Sequence, residues 1–429
     1  MLTDHYELTM LRAARHSGVA DRRAVFEVFA RGLPDGRRYG VVAGTGRLLD
    51  ALERFTFGDH ALAFLSSTDV VDDETCEWLA GFRFSGDIWG YPEGECYFGG
   101  SPVLVVDSTF AESVLLETLV LSTLNHDSAI ASAASRMTCA AGDRPVIEMG
   151  SRRTHEEAAV AAARAAYIGG FASTSNLAAG YRYGVPTGGT SAHAFTLVHD
   201  SERQAFSTQV EALGKGTTLL VDTYDVAEAV RAAVEVAGPG LGAIRLDSGD
   251  LLELAGEVRA QLDALGATDT KIVVTSDLDE HAIAALAAAP VDRYGVGTAL
   301  VTGSGIPTAG LVYKLVARSA VAGRDAPLVP VAKRSTGKPS VGGRKWAVRV
   351  LDEHGIAAQE RVVASSEPPP RARGTRPLLV PLVRGGRVVG REPLDAARQR
   401  HARARAELPA TAAQLSRGQP AIPTSHEEE

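Results

Sequence analysis

The sequence predicts an α/β fold built on an irregular, TIM-like barrel of parallel strands, and three observations lead to this prediction. Short apolar segments recur along the middle of the chain. Each is followed by a segment of about ten to twenty residues that is compatible with helix, which is the rhythm of parallel strands joined by helices. Each apolar segment also ends in glycine, hydroxyl or charged residues. Since the active sites of α/β barrels lie at the C-terminal ends of their strands, these polar ends predict a functional face.

The repeat occupies residues 145–318 and supplies the strands of the predicted barrel. Capping and turns explain any one polar strand end, but not a whole series that faces the same way. The segments that carry the pattern are residues 146–153, 169–176, 188–195, 219–225, 243–250, 272–279 and 294–298.

The segment 188–195 is the most informative, because a histidine follows a Gly-Gly-Thr turn. Glycine allows a close approach of backbone to ligand, and Thr190 adds a hydroxyl near His193. We expect His193 at the end of a strand. It has neither a serine nor a cysteine at triad spacing and no second histidine four residues away, so a zinc-binding helix is excluded. A covalent phosphoryl carrier and a packed structural histidine remain open.

Arginines and glycine-rich turns at other strand ends are suited to phosphate. Arg152 follows the first strand, and Gly295, Gly297 and Thr298 end the last one. A guanidinium binds phosphate through two charged hydrogen bonds, and backbone N–H groups at turns add further donors.

Two aspartates, Asp247 and Asp277, end neighbouring predicted strands. They can accept hydrogen bonds from sugar hydroxyls or hold Mg²⁺ through water; helix capping is the alternative. Arg245 lies on the same side of its strand as Asp247, because side chains alternate with a period of two. The pair suggests an anionic ligand next to a polyol, with a structural ion pair as the alternative.

Composition restricts the class of protein. The chain has 429 residues, enough for two or three domains. The formal net charge of −8 argues against a general nucleic-acid-binding protein, and no apolar run is long enough to span a bilayer. Three scattered cysteines without metal spacing are typical of a reducing cytoplasm. We therefore expect a cytoplasmic protein without a membrane or nucleic-acid partner and without a protein-held metal cluster.

Six stretches together resemble the nicotinate phosphoribosyltransferase family and occur in the family's order. They are LTDHYELTM at 2–10, FEVFARGLP at 26–34, EMGSRR at 148–153, TSAHAF at 190–195, RLDSGD at 245–250 and GVGT at 295–298. The last eighty or so residues lack a clear match.

The resemblance implies a type II phosphoribosyltransferase fold, in which a smaller α+β domain is made from both ends of the chain. The resemblance, together with the change in pattern after residue 318, implies an N-terminal domain over residues 1–110, a barrel over 111–318 and a C-terminal segment over 319–410 that completes the smaller domain, while the composition of residues 411–429 predicts a flexible tail. The resemblance also implies a homodimer with shared active sites.

The activity implied is the first step of NAD salvage from nicotinate. Nicotinate and 5-phosphoribosyl 1-pyrophosphate would give nicotinate mononucleotide and pyrophosphate, with Mg²⁺ and with ATP hydrolysis coupled through a phosphohistidine at His193. The remaining roles follow from the same resemblance. Nicotinate would contact Tyr6 of the other subunit, Met149, Ser175, Thr190 and Arg245; the phosphoribosyl group and phosphate would contact Arg152, Asp247, Ser248, Asp277, Gly295, Gly297 and Thr298.

Three rival interpretations remain. Nicotinamide phosphoribosyltransferases resemble this chain but place an acidic residue where it has Ser175, and a carboxylate there would repel nicotinate. Quinolinate phosphoribosyltransferases would require more basic residues and have no phosphohistidine. A ligand-sensing homologue without catalysis is disfavoured by the presence of His193, Arg245 and Asp247.

Overall fold

The computed structural model describes residues 2–323, 326–333 and 340–428. The chain divides into two compact units, one made of Met1–Ala129 with Thr308–Glu429 and the other of Ile130–Pro307. The strands are β1 Arg22–Ala30, β2 Gly40–Val41, β3 Asp87–Gly90, β4 Cys96–Tyr97, β5 Leu104–Thr109, β6 Val146–Glu148, β7 Ser173–Thr174, β8 Thr218–Leu220, β9 Ala243–Leu246, β10 Lys271–Val274, β11 Arg293–Val296, β12 Leu311–Ala322, β13 Leu328–Pro330, β14 Lys345–Leu351, β15 Ala357–Ala364, β16 Thr375–Pro377, β17 Val380–Arg384, β18 Arg387–Val388 and β19 Thr424–Glu428.

The helices alternate with these strands through the middle of the chain. They are α1 His5–His16, α2 Thr45–Glu53, α3 Asp59–Ser67, α4 Asp73–Ala80, α5 Phe110–Val114, α6 Glu117–Ala141, α7 Glu156–Ile168, α8 Leu177–Tyr183, α9 His193–Leu197, α10 Glu202–Leu213, α11 Val226–Ala237, α12 Leu251–Ala264, α13 Glu280–Ala285, α14 Thr298–Val301 and α15 Leu394–Ala406.

The second unit contains the predicted parallel sheet. Its strands are ordered β7-β6-β11-β10-β9-β8, and every pair is parallel. Strand residues such as Ile244 and Ile272 are fully buried, as expected where helices cover a parallel sheet. The sheet curls into part of a barrel, so the prediction of an irregular α/β barrel with a smaller α+β region is confirmed.

The prediction that His193 lies at the end of a strand is wrong. Only an isolated bridge joins Thr187 to Thr174 in β7, and His193 begins the short helix α9. Two consecutive glycines, Gly188 and Gly189, offer no side chain to pack and weaken strand formation.

The first unit is built from both ends of the chain, and its strands pair antiparallel except for β15 and β19. Its largest sheet has the order β13-β12-β1-β5-β3-β17-β18, so β1 lies between an N-terminal strand and a C-terminal strand. A second sheet has the order β16-β14-β15-β19. The apolar core of this unit includes Leu11, Val25 and Val105, all fully buried.

The observed unit boundaries differ from the expected 110 and 318. α6 begins at Glu117, after the expected boundary, and the first unit ends at Ala129 within this helix. β12 begins at Leu311 and pairs with β1, which places it in the first unit. The expectation of a flexible tail over 411–429 is wrong at its end, because β19 pairs in parallel with β15.

Among the helices in the described ranges, none is long and apolar enough to cross a membrane.

Candidate active site

The C-terminal ends of the parallel strands surround a cleft of about 250 Å³ in the second unit. The cleft collects side chains and turns from β6, β9, β10 and β11, as the strand-end pattern predicts. Its lining residues are Met149, Arg152, Arg153, Arg245, Asp247, Thr275, Ser276, Asp277, Gly295, Gly297 and Thr298.

Arg245 and Asp247 form the charged centre of the cleft. Arg245 Nη2 donates to Asp247 Oδ1 at 2.8 Å, and Arg245 Nε donates to the Thr275 hydroxyl at 2.8 Å. Thr275 in turn donates to Asp247 Oδ1. Partial burial acts to raise the pKa of the Asp247 carboxyl, but the hydrogen bonds from Thr275 and Arg245 outweigh it and hold that pKa below its ordinary value. Asp247 therefore stays negatively charged across the neutral range.

Arg245 also reaches the loop that precedes His193. Its Nη1 donates to Thr190 Oγ1 and to the Ser191 carbonyl, both at 3.3 Å. The predicted nicotinate residues Thr190 and Arg245 therefore lie together, although they are 55 positions apart in the chain.

Asp222 is a residue of this site that the sequence prediction missed. Its side chain is only 2% exposed. Its Oδ2 accepts from the Asp247 backbone N–H at 3.0 Å and from the Ser248 hydroxyl at 2.6 Å, which fixes the turn after β9. Its Oδ1 has no hydrogen-bond partner among the described residues.

His193 faces that free oxygen. Its Nε2 lies 3.9 Å from Asp222 Oδ1, and its Nδ1 lies 3.2 Å from the Thr223 hydroxyl. The imidazole is 41% exposed, so one edge is fixed by the protein while the rest is open to a ligand. The charge of His193 also contributes to the lowered pKa of Asp247.

Three strand ends carry two aspartates each, and only the second aspartate of each pair caps the helix that follows. Asp225, Asp250 and Asp279 accept from backbone N–H groups at the starts of α11, α12 and α13. The capping interpretation therefore fails for the acid that precedes each of them. Those preceding acids are Asp222, Asp247 and Asp277, and this paired spacing is the signal that could have revealed Asp222.

The β6 end supplies two arginines. Arg152 and Arg153 are both exposed and both line the cleft; only Arg152 was predicted. Behind them the buried Glu148 accepts from the Gly150 N–H and from the Thr174 hydroxyl, which fixes the turn that presents the arginines. Burial raises the pKa of Glu148.

The β11 end brings backbone close to the cleft. A side chain at Gly295 would clash with Thr275 Cγ2 at 2.5 Å and with Met149 Sδ at 2.8 Å, so glycine is required there. Gly297 precedes α14, whose first residue is Thr298. The backbone and the hydroxyl at this turn are available as donors to an anion.

The other predicted residues occupy different surroundings. Ser175 is exposed immediately after β7, and its N–H donates to the Glu148 carbonyl at 2.8 Å. Tyr6 lies on α1 in the first unit and is 44% exposed. Burial and the charge of Glu117 raise the pKa of its phenol.

Within residues 2–323, 326–333 and 340–428, no group of three or more His, Cys, Asp or Glu side chains could hold a metal ion. Mg²⁺ is usually bound in proteins by one or two carboxylates together with substrate phosphates and water. Asp247 and Asp277 fit that mode, in which the ligand supplies much of the coordination shell.

Two family models match the sequence. The model described as the nicotinate phosphoribosyltransferase (NAPRTase) N-terminal domain matches residues 1–125, and the one described as the quinolinate phosphoribosyl transferase C-terminal domain matches residues 130–304.

Curated relatives cover almost the whole chain. Nicotinate phosphoribosyltransferase pncB1 of Mycobacterium tuberculosis (strain ATCC 25618 / H37Rv) is 59% identical over 432 residues, which is 99% of this chain and 94% of the relative. The nicotinate phosphoribosyltransferase of Bacillus subtilis (strain 168) is 38% identical over 363 residues, covering 82% of this chain and 73% of that protein.

Solved structures show the same fold. The crystal structure of human nicotinic acid phosphoribosyltransferase aligns with a TM-score of 0.84 at 26% identity and covers 100% of this chain and 98% of its own. The nicotinate-nucleotide pyrophosphorylase from Pyrococcus furiosus aligns with a TM-score of 0.78 at 25% identity and covers 94% of each chain. The 59% identity to the Mycobacterium tuberculosis protein over almost the whole chain, together with the matched N-terminal domain, shows that this chain belongs to the nicotinate phosphoribosyltransferase family.

Proposed function

We propose that the protein transfers the phosphoribosyl group of 5-phosphoribosyl 1-pyrophosphate to nicotinate and couples this transfer to ATP hydrolysis through a phosphohistidine at His193. The observation that carries the proposal is the position of Asp222, which faces His193 with one oxygen and holds the Asp247 turn with the other. We further propose that the reaction takes place in the cytoplasm as the first step of NAD salvage from nicotinate.

The transfer step requires negative charge near the ribose. Breaking the bond between C1 of the ribose and the pyrophosphate produces positive charge on the sugar, which a nearby carboxylate stabilises. Asp247 is suited to this role because its pKa is held low and it stays ionised. Nicotinate nitrogen then attacks C1, and pyrophosphate leaves with the electron pair of the broken bond.

The arginines account for the anionic groups of the substrates. Arg152 and Arg153 present charged donors at the β6 end for phosphate. Mg²⁺, held by Asp247, Asp277 and the substrate's own phosphates, would neutralise charge on the departing pyrophosphate. Arg245 lies beside Thr190 and offers its guanidinium to the carboxylate of nicotinate.

The phosphohistidine step follows from the two nitrogens of His193. The Thr223 hydroxyl, 3.2 Å from Nδ1, can donate to that nitrogen, and Asp222 Oδ1 faces Nε2 at 3.9 Å, so both groups favour the neutral imidazole with its proton on Nε2 and its lone pair on Nδ1. Nδ1 attacks the γ-phosphorus of ATP, the bond to ADP breaks, and ADP leaves with that electron pair. The ring then carries a positive charge, which Asp222 balances.

Nicotinamide phosphoribosyltransferase activity is the second candidate, and Ser175 argues against it. A neutral hydroxyl at this position leaves no carboxylate to receive an amide or to repel nicotinate. A protein that only binds the ligand is a third candidate, and the hydrogen-bonded Arg245–Asp247 centre favours catalysis over it.

The test measures nicotinate mononucleotide and ADP with nicotinate or nicotinamide as substrate. We expect product from nicotinate, with ADP formed alongside, and an acid-labile phosphoryl label on the protein from γ-labelled ATP. His193→Ala should lose the label and ATP hydrolysis while slow uncoupled product formation remains at high substrate.

His199→Ala is the matched control, because the His199 imidazole bonds the Phe195 carbonyl at 2.7 Å, and this variant should keep the label. Full ATP-stimulated activity in His193→Ala would contradict the phosphohistidine. Product from nicotinamide alone would favour the second candidate.

We also propose a homodimer in which Tyr6 contributes to the partner's site. An exposed aromatic side chain on α1, far along the chain from the barrel residues, has the chemistry to stack on a pyridine ring. Tyr6→Ala and Arg245→Met should each lose most of their activity, but co-expressed heterodimers should regain activity, because one site of each pair then has both native residues. Heterodimers as inactive as either parent would show that Tyr6 serves its own subunit or only packs.

A further inference from the structure

Two buried carboxyl oxygens of the second unit have no hydrogen-bond partner among the described residues. One is Oδ1 of Asp222, and the other is Oε1 of Glu202. A buried carboxylate without a donor is costly, because it has lost its hydration without replacement. Asp222 Oδ1 has His193 as a neighbour, whereas the proposed reaction leaves Glu202 without a role.

Glu202 occupies a position from which it can act on the histidine. It is the first residue of α10, which packs against α9 and α11. α9 begins at His193, and α11 follows directly after the segment 222–225. Ser201 already caps α10 by accepting from the Gln204 N–H, so the Glu202 carboxyl is not needed as the cap.

The charges around Glu202 keep a proton on it. Burial raises the pKa of Glu202 to about 7, with further contributions from the negative charges of Asp222 and Asp225. Among the described residues, no positive charge acts to lower the pKa of Glu202. The neighbouring Arg203 is paired with Glu235 of α11 instead. Glu202 therefore changes its charge near neutral pH.

We propose that Glu202 is a positioning residue for the phosphorylation of His193, acting through Asp222 by holding a proton while the phosphoryl group is on the ring. The inference rests on the proposed phosphohistidine. Neutral Glu202 leaves Asp222 as the carboxylate that balances the ring. Ionised Glu202 adds a negative charge beside it, which repels the γ-phosphate of ATP and the bound phosphoryl group.

The sign of the pH dependence follows. A glutamate is neutral below its pKa, so the supporting form of Glu202 is present below about pH 6 and is lost as the pH rises through about 7. The steady-state level of phosphohistidine should fall roughly tenfold between about pH 6 and about pH 8.5.

The experiment compares the phosphohistidine level and the rate of ATP hydrolysis against pH in the full-length protein. The glutamine in Glu202→Gln is neutral at every pH, so the phosphohistidine level of this variant should change less than about twofold between about pH 6 and about pH 8.5. Glu211→Gln, which removes an exposed charge from the same helix, should keep the wild-type profile. An unchanged profile in Glu202→Gln, or an equal loss at all pH values, would overturn the proposal.

A second readout does not depend on ATP. Infrared difference spectra of protein with ¹³C-labelled glutamate, taken between about pH 6 and about pH 8.5, should show a neutral carboxyl band that disappears as the pH rises. The band should be absent from Glu202→Gln and present in Glu211→Gln. A wild-type chain without phosphohistidine but with this band would refute the proposed function while leaving the Glu202 titration intact, and absence of the band would refute the inference.

Discussion

Both units of the protein build a centre from arginines and carboxylates, but the two centres differ in exposure. In the first unit Arg349 and Glu360 are both fully buried and 3.0 Å apart. Arg349 also donates to the Cys96 carbonyl at 2.8 Å, and its guanidinium lies 5.3 Å from the centre of the Phe98 ring. In the second unit Asp247 remains 33% exposed.

Accessibility, rather than unsatisfied hydrogen bonds, distinguishes the two centres. Arg349 leaves Nε and Nη1 without partners, as Asp222 leaves Oδ1. The unpaired Arg349 nitrogens are enclosed with Tyr91 and Glu360, so no ligand reaches them. In the second unit Asp222 Oδ1 faces the partly exposed imidazole of His193, and Arg245 and Asp247 line a cleft. The same residue types therefore stabilise one unit and form the candidate site of the other.

The largest expected effect comes from replacing the arginine of each centre by methionine, which distinguishes the structural role from the role at the site. Arg349→Met leaves Glu360 buried without its cation, so the free energy of unfolding should fall by about 3–5 kcal/mol. Arg245→Met should leave the free energy of unfolding nearly unchanged. It should weaken transition-state stabilisation, measured from kcat/KM for nicotinate, by roughly 1.5–3 kcal/mol, because a charged hydrogen bond is lost. Denaturant unfolding and steady-state kinetics measure the two effects.

A double variant sharpens this comparison. Arg349→Met combined with Glu360→Gln removes both charges, while the amide oxygen can still accept from the Tyr91 hydroxyl, which donates to Glu360 at 2.7 Å. Part of the lost stability should return. Equal destabilisation by Arg245→Met and Arg349→Met would show that both centres are structural.

A smaller effect is expected at Ser175. Ser175→Asp places a carboxylate after β7, and nicotinate use should weaken by roughly 1–3 kcal/mol because a charged group meets the wrong partner. Nicotinamide use should fall less or rise. Ser175→Asn, which has nearly the same size without the charge, is the control. An unchanged ratio of kcat/KM for the two substrates in Ser175→Asp would place Ser175 away from the ring.

The sequence predicted the barrel because a parallel sheet leaves a local signature. Strands such as β9 and β10 are short, apolar and followed at once by polar residues. The smaller unit was less accessible to sequence reasoning, because β1 pairs with β12 about 290 positions away and β19 pairs in parallel with β15. Such pairing depends on contacts that no local pattern contains, which is why the C-terminal strand was expected to be a tail.

Site residues, like strands, were predictable from the sequence where a local pattern marks them and were missed where their role depends on long-range contacts. Arg245, Asp247 and Asp277 were predicted because each ends an apolar strand, and the structure brings all three to the cleft. Asp222 was missed although it also follows a strand, since its importance comes from what its two oxygens contact across the sheet. His193 was predicted as a reactive residue, but the helix that it begins was not.

The smallest expected effect concerns backbone strain at Ser276, in the cleft of the second unit. Ser276 follows β10, lines the cleft and has a φ of 134°, a conformation that L residues rarely adopt. Such strain costs about 1–3 kcal/mol, whereas glycine adopts this φ freely but loses about 0.5–1 kcal/mol through its greater freedom when unfolded. Ser276→Gly should therefore raise the free energy of unfolding by about 1 kcal/mol.

Asp69→Gly is the control, because Asp69 has a φ of 52° on the exposed surface, which aspartate tolerates. This variant should gain less stability. A loss of stability in Ser276→Gly would show that the Ser276 side chain, rather than relief of its backbone, determines the stability of this turn.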